Sequence, residues 1–301
     1  MRRIVGVLLS FVGGFLIVLG LLAQFYAPDR LMKTPLDTNS VTYLEGEAEL
    51  SDGTGGTDTF PVRAFSTTLS DSEKSTDDVV LFQNSSCLVK DEGGIDTCVS
   101  ADDPQKRLLT ASTDTFATDR RTALAVNDPD VLPASAEPTE GLVNKWPFEA
   151  EQKTYPYWDG TAGEAVDAEF EREQEVEGLN TYVYKVSVSD VPVELTDGVE
   201  GVYNDEKEIW IDPMTGSIIN QIDHQERIDD EGNPFLIVDL AFTDEQVASN
   251  VEDAKENGGR LDLITSTVPL LGYALGIPLL IIGLVLMWSA SRSRRAEHRE
   301  A

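Results

Sequence analysis

Side chains with obvious chemistry are few in this chain. His224 and His298 are its two histidines, too few and too isolated for a zinc centre or a histidine-based nucleophile relay. No Gly-x-Ser-x-Gly elbow and no phosphate-cradling glycine loop occurs. With 54 Asp and Glu residues, chance pairs are certain, so a glycosidase-type carboxylate pair cannot be read from counts. Asp229-Asp230-Glu231-Gly232-Asn233 lacks the spaced ligands of a calcium loop and reads as a turn. His224 reads as a surface strand residue rather than a base. Asn84-Ser85-Ser86 matches a glycosylation sequon, a pattern that arises easily by chance. No catalytic residue, metal ligand or cofactor motif emerges, and the expectation is a non-enzymatic protein.

Cys87 and Cys98 form an even pair at short separation, which outside the cytoplasm is normally a disulfide. The turn-rich segment Lys90–Asp96 between them suggests a hairpin whose two strands the bridge ties together.

A second group offers binding rather than reaction chemistry. Trp146, Phe148, Tyr155, Tyr157 and Trp158 fall within 13 residues, in a chain with four tryptophans. Aromatics bury large areas and carry polar tips, so the cluster either anchors a core or lines a site. Pro147 and Pro156 push their preceding residues out of helix, so the segment should run extended. As a site it would be an apolar wall for lipid, and these five are the candidate lipid-binding residues.

Both ends of the chain read as membrane helices. Arg2 and Arg3 precede 23 uncharged residues from Ile4 to Tyr26, enough to cross about 30 Å of hydrocarbon. No small-x-small cleavage site precedes Ala27, which favours an uncleaved anchor over a signal peptide. A second run of 24 uncharged residues extends from Thr267 to Ala290, with Trp288 near its end and Arg292, Arg294, Arg295 and Arg299 just beyond. Basic flanks stay in the cytoplasm, so both termini should lie inside and the middle outside. The expected organisation is an N-terminal transmembrane helix at 1–26, an extracytoplasmic domain at 27–266, a C-terminal transmembrane helix at 267–290 and a basic cytoplasmic tail at 291–301.

Net charge is −31, and it is uneven. Setting aside those six arginines with Glu297 and Glu300 leaves 17 basic against 52 acidic residues, or −35 between the ends. Such a body repels phosphate, which excludes nucleic acid as a partner.

The domain itself is expected to be mostly β (α+β). Val79–Phe82, Thr181–Val188, Glu208–Asp212, Ser217–Ile222 and Phe235–Val238 are rich in β-branched and aromatic residues. Tyr182, Tyr184, Val186 and Val188 alternate as a half-buried strand does. One soluble helix is signalled: Thr243 and Gln246 form a capping box, Val247, Val251 and Ala254 recur at helical spacing, and Gly258-Gly259 should end it.

Several elements occur together and in order: Gly141-Leu142 through Trp146-Pro147-Phe148, Lys153-Thr154-Tyr155-Pro156, Trp158-Asp159, Gly178–Tyr182, and Trp210-Ile211-Asp212-Pro213-Met214-Thr215-Gly216. With a terminal membrane helix at each end, the chain resembles the actinobacterial PorA family of membrane proteins, long classed as a domain of unknown function. Arg120-Arg121-Thr122-Ala123 resembles the family's Arg-x-Thr-Gly element, with Ala123 where Gly is usual. The resemblance implies an envelope protein of the plasma membrane, with some members linked to assembly of lipomannan and lipoarabinomannan. It also implies a layout similar to class B scavenger receptors, whose β-barrel-like core encloses a lipid tunnel. On that basis the partners would be a membrane lipid or lipoglycan precursor and envelope-assembly proteins. The alternative is a porin- or channel-like protein or membrane scaffold acting through oligomerisation, its path built from helices, since two helices and an acidic ectodomain do not make a strand-built pore.

Overall fold

The computed structural model describes residues 2–297 except residue 197, with the backbone alone for 292–297. His298 and Arg299 of the basic tail lie outside the described residues. The chain divides into two compact units: 33–255, and 1–32 together with 256–301.

The larger unit is built on one antiparallel ten-stranded sheet. Its strands are β1 (Asn39–Ser51), β2 (Thr57–Ser70), β3 (Val79–Lys90), β4 (Leu108–Asp119), β5 (Tyr155–Asp159), β6 (Glu164–Val176), β7 (Leu179–Thr196), β8 (Val199–Ile211), β9 (Ile218–Asp229) and β10 (Pro234–Phe242). Spatial order is β4-β3-β2-β1-β10-β9-β8-β7-β6-β5. Two meanders, β1 to β4 and β5 to β10, therefore meet along one seam, where Leu44 lies opposite Phe242 and Leu50 opposite Leu236.

Alternation decides which side chains face inward. Along β8, Tyr203, Asp205, Lys207, Ile209 and Ile211 are buried while Glu206 is exposed. On β7, Tyr184, Val186 and Val188 share that inner face. The period-2 pattern read in the sequence there is the pleat of the sheet.

The sheet curls, and its edges β4 and β5 do not pair directly. They are joined through the intervening chain. Thr118 bridges to Ala125, Leu124 to Leu142, and Leu142 to Tyr157. Val126 N donates to Ala117 O at 2.8 Å, and Trp158 N to Leu142 O at 2.7 Å. These bonds occupy edge groups that would otherwise be left open at that end.

Helix α3 (Asp244–Asp262) packs Val247, Val251 and Ala254 against Val183, Trp210 and Ile219. Gln246 N donates to Thr243 Oγ1 at 3.2 Å, but the reciprocal half of the capping box is absent. The Gln246 amide instead accepts from Tyr43 N at 3.1 Å and donates to Asn250 Oδ1 at 2.8 Å. Gly258-Gly259 do not end the helix. The backbone stays helical through a π-helical turn at Leu263–Thr267 into α4 (Val268–Glu297). Neither glycine adopts the positive φ that terminates a helix.

Cys87 and Cys98 are disulfide-bonded. The bridge does not tie two strands, however. Cys87 is on β3, opposite Phe65 of β2 and Ala111 of β4, whereas Cys98 lies in the loop before β4. Because β3 already has a strand on each side, the bond pins that loop, with Ile95 and Val99, over Phe65 and Val89.

The smaller unit is helical. It holds α1 (Arg2–Phe25), the short α2 (Ala27–Leu31) and α4. α1 and α4 pack against each other through glycines. A Cβ at Gly13 would lie 2.6 Å from Gly276 O, and one at Gly276 would lie 2.8 Å from Gly13 O. Only residues without a side chain allow backbones this close. Gly6 and Gly20 extend the contact one heptad either way, toward Gly283 and Tyr273. Tyr273 Oη donates to Gln24 Oε1 at 2.7 Å.

Candidate functional site

The ordered motifs of the sequence converge on one region of the β domain. Trp146 N donates to Gly216 O at 2.8 Å, Glu149 N to Met214 O at 3.1 Å, and Ala150 N to Pro213 O at 2.8 Å. The stretch after Leu142 thus lies along the turn between β8 and β9. Asp212 builds that turn: Thr215 donates to its Oδ2 from N at 3.0 Å and from Oγ1 at 2.6 Å. Gly216 has φ +72°, and a Cβ there would overlap the Trp146 carbonyl. A side chain is excluded twice over, by conformation and by space. Ala123, in the Arg120-Arg121-Thr122-Ala123 step, also takes a left-handed φ of +58° and is buried.

Trp146 is wholly buried, its ring stacked 5.5 Å from Tyr157 and tilted at 39° against Tyr184 at 5.1 Å. Tyr155 meets Tyr184 edge-on at 5.9 Å. Leu142, Ile209 and Ile211 fill the remaining space. Of the five aromatic candidates, Trp146, Tyr155 and Tyr157 are therefore brought together in one packed cluster. Phe148 and Trp158 are half-buried and outside it. Phe148 carries Lys145 Nζ 3.8 Å above its ring centroid. Burial lowers the Lys145 amine to about 7, with Asp212 pulling the other way.

Beside the aromatic cluster lies an ionic one that the sequence did not announce. Lys207 Nζ is 3.0 Å from Asp205 Oδ2, 3.6 Å from Asp223 Oδ2 and 4.0 Å from Asp159 Oδ2, and all four side chains are at least nine-tenths buried. Tyr203 Oη lies 3.1 Å from Asp205 Oδ2 and 3.3 Å from Asp159 Oδ2. Gln221 Nε2 and Gln225 Nε2 donate to Asp223 Oδ2 at 3.3 and 3.2 Å. Burial opposes the Lys207 charge, but Asp223, Tyr157, Asp205 and Asp159 outweigh it and hold the ammonium well above its usual range. Burial also pushes the Asp205 carboxyl up to about 6, against Lys207 and with Asp223. The signal available in the sequence was register alone: Asp205 and Lys207 alternate with Tyr203 and Ile209 on the inward side of β8.

The helical unit offers a different kind of site. α1 and α4 are long and apolar enough to cross a membrane. Phe11, Phe15, Leu270, Ile281 and Trp288 are exposed on them. No charged side chain lies between Ile4 and Tyr26 or between Thr267 and Ala290.

Comparison with known proteins agrees with the ordered motifs. Residues 5–285 match the family model described as Porin PorA. A Porin PorA of Corynebacterium amycolatum is 27% identical over 227 residues, covering 62% of this chain and 58% of that protein. A second, of Corynebacterium resistens, is 23% identical over 290 residues, covering 64% of this chain and 69% of the relative. The first match thus spans less than two thirds of the relative's own length. The chain belongs to the Porin PorA family.

Proposed function

We propose that this protein is a plasma-membrane protein with a porin- or channel-like role, exercised by assembly of its α1–α4 helix pairs. In this reading α1 and α4 both span the bilayer, with the termini in the cytoplasm and the β domain outside. The observation that carries the reading is the Gly13–Gly276 contact. Backbones that approach so closely leave no water path between the two helices, and their outer faces are apolar. A conducting path would have to form between pairs, so the active form is an oligomer. The names of the two corynebacterial relatives support a porin-like role.

The strands do not supply the pore. A membrane barrel turns an apolar band outward. Here Glu45, Glu47 and Glu49 take alternate positions of β1 on the face opposite buried Ala48, and Lys185 and Glu206 pair across the outer face of β7 and β8. A lipid wall built from Trp146, Tyr155 and Tyr157 has less support, since Trp146 packs on Tyr157 and Tyr184, Tyr155 meets Tyr184 edge-on, and all three are buried.

The test is stepwise conductance of the purified full chain in planar bilayers, with oligomer size read by native mass spectrometry. Conductance from a defined oligomer, lost in Gly13→Leu, is the expected result. A well-folded oligomer that never conducts would overturn the channel reading and leave a scaffold.

A further inference from the structure

The Asp159, Asp205, Asp223 and Lys207 cluster contains a gap in its hydrogen bonding. Asp205 Oδ1 and Asp223 Oδ1 are both buried and accept no hydrogen bond from the described residues. Carboxylate oxygens only accept, and a buried acceptor left unsatisfied costs free energy. The cross-strand register pairs Asp205 with Gln225 and Lys207 with Asp223, so the two carboxyls are diagonal neighbours on the inner face of β8 and β9.

The charges point the same way. Among the described residues, the charged or titratable groups facing the cluster are Tyr157 and Asp159 from β5, Tyr203, Asp205 and Lys207 from β8, and Asp223 from β9, with Arg227 of β9 lying 5.6 Å from the Tyr203 ring centroid. Three carboxyls thus surround one ammonium in an enclosed space. A single additional positive charge, small enough to fit between two carboxyls, would supply the missing donor and reduce the excess negative charge.

We propose that Asp205 and Asp223 form a binding site for one exchangeable proton, taken up from solvent onto Asp205 and donated as a hydrogen bond to Asp223. Protonation breaks no other bond. It leaves Lys207 shared among fewer carboxylates, so more of its charge is directed at Asp159 of edge strand β5. Releasing the proton returns Asp205 as a competing carboxylate beside Lys207, so the contact between β5 and β8 is pH-responsive.

Two further facts make the site specific. Burial and the Asp223 neighbour hold the Asp205 carboxyl at about 6, close to neutrality for a proton site. Asp52, Asp71, Asp103 and Asp229, whose carboxyls accept hydrogen bonds in surface turns and pairs, move in the opposite direction.

The experiment is infrared difference spectroscopy of the full chain in detergent, titrated from about pH 7.5 to about pH 4.5 across the carboxyl range. A protonated-carboxyl C=O band should grow with a midpoint near 6, a band that His224 cannot produce. It should vanish in Asp205→Asn and move to lower pH in Asp223→Asn, which lacks the neighbouring charge. A wild-type protein with no carboxyl titrating above about pH 5 overturns the proposal even if both variants fail to fold. So does an unchanged midpoint in folded Asp205→Asn.

Discussion

Asp159 Oδ2 and Lys207 Nζ lie 4.0 Å apart although β6 and β7 stand between the strands that carry them. Neighbouring strands run about 4.8 Å apart, so three spacings on a flat sheet would separate the two by roughly 14 Å. The sheet must therefore curl until β5 faces β8 across its own interior. The Trp146 cluster and the ionic cluster fill the space so enclosed.

Removing the central cation should be costly. Lys207→Met leaves three carboxyls facing one another without a counter-charge, and loss of one partner of a buried ion pair typically costs about 3–5 kcal/mol. Denaturant unfolding of the full chain near pH 7.5 should show a loss of that order. The sign with pH follows from Asp205, whose folded range is raised. Lys207 lowers the Asp205 carboxyl, so in the variant that carboxyl rises further, and the penalty shrinks on acidification from a pH above the wild-type value of about 6. A deficit that grew on acidification would contradict this account of the cluster.

Gly216→Ala probes the junction between the Trp146 segment and the turn after β8. The new methyl would demand a left-handed backbone and displace the Trp146 carbonyl, so a loss of at least about 2 kcal/mol is expected. Thermal unfolding that shifts by less than the error of the measurement would show that this turn does not hold Trp146 in place.

The Cys87–Cys98 bridge closes a short loop over Phe65 and Val89. Replacing both residues with serine should lower stability by about 2–3 kcal/mol through the freed unfolded chain. Reductant added to the wild type should reproduce the shift and leave the double variant unchanged.

In the helix pair, Gly13→Leu and Gly14→Leu make a matched contrast. A Cβ at Gly13 would meet Leu280 N at 2.5 Å, while Gly14 faces open space. Cysteines placed at Gln24 and Tyr273, whose side chains hydrogen-bond in the native pair, report the packing. Cross-linking between them should fall severalfold with Gly13→Leu and persist with Gly14→Leu. Equal behaviour of the two would remove the glycine seam as the basis of the pair.

Much of this was legible in the residues. The apolar spans, the inward alternation of Tyr184, Val186 and Val188, and the β-rich run Glu208–Asp212 are local patterns, and the structure follows them. What was not legible depended on distant partners. Cys98 looked like a strand residue because its spacing from Cys87 suits a hairpin, yet β4 had already taken that place. Gly258 and Gly259 carry a stop signal, but a helix ends on a left-handed residue and the chain continues helical through both. Asp205 and Lys207 were two charges among many in an acidic chain. Their burial follows from the curl that brings Asp159 over β8, which no local window contains.

The seam between the two meanders has a bearing on the order of events during synthesis. β2, β3 and β4 can each pair with the strand just before it, and β6 to β10 likewise. β1 must wait for β10, because Leu44 and Phe242 stand at opposite ends of the domain sequence. The entropy of closing so long a loop is spent before the pairing is rewarded, which places the seam last. Until then β1 presents an unpaired edge, and a chain arrested before Pro234 should aggregate through it. Pulse-labelled hydrogen exchange during refolding should find the β1 and β10 amides that bond across the seam protected after those between β2 and β3, and early protection at the seam would refute that order.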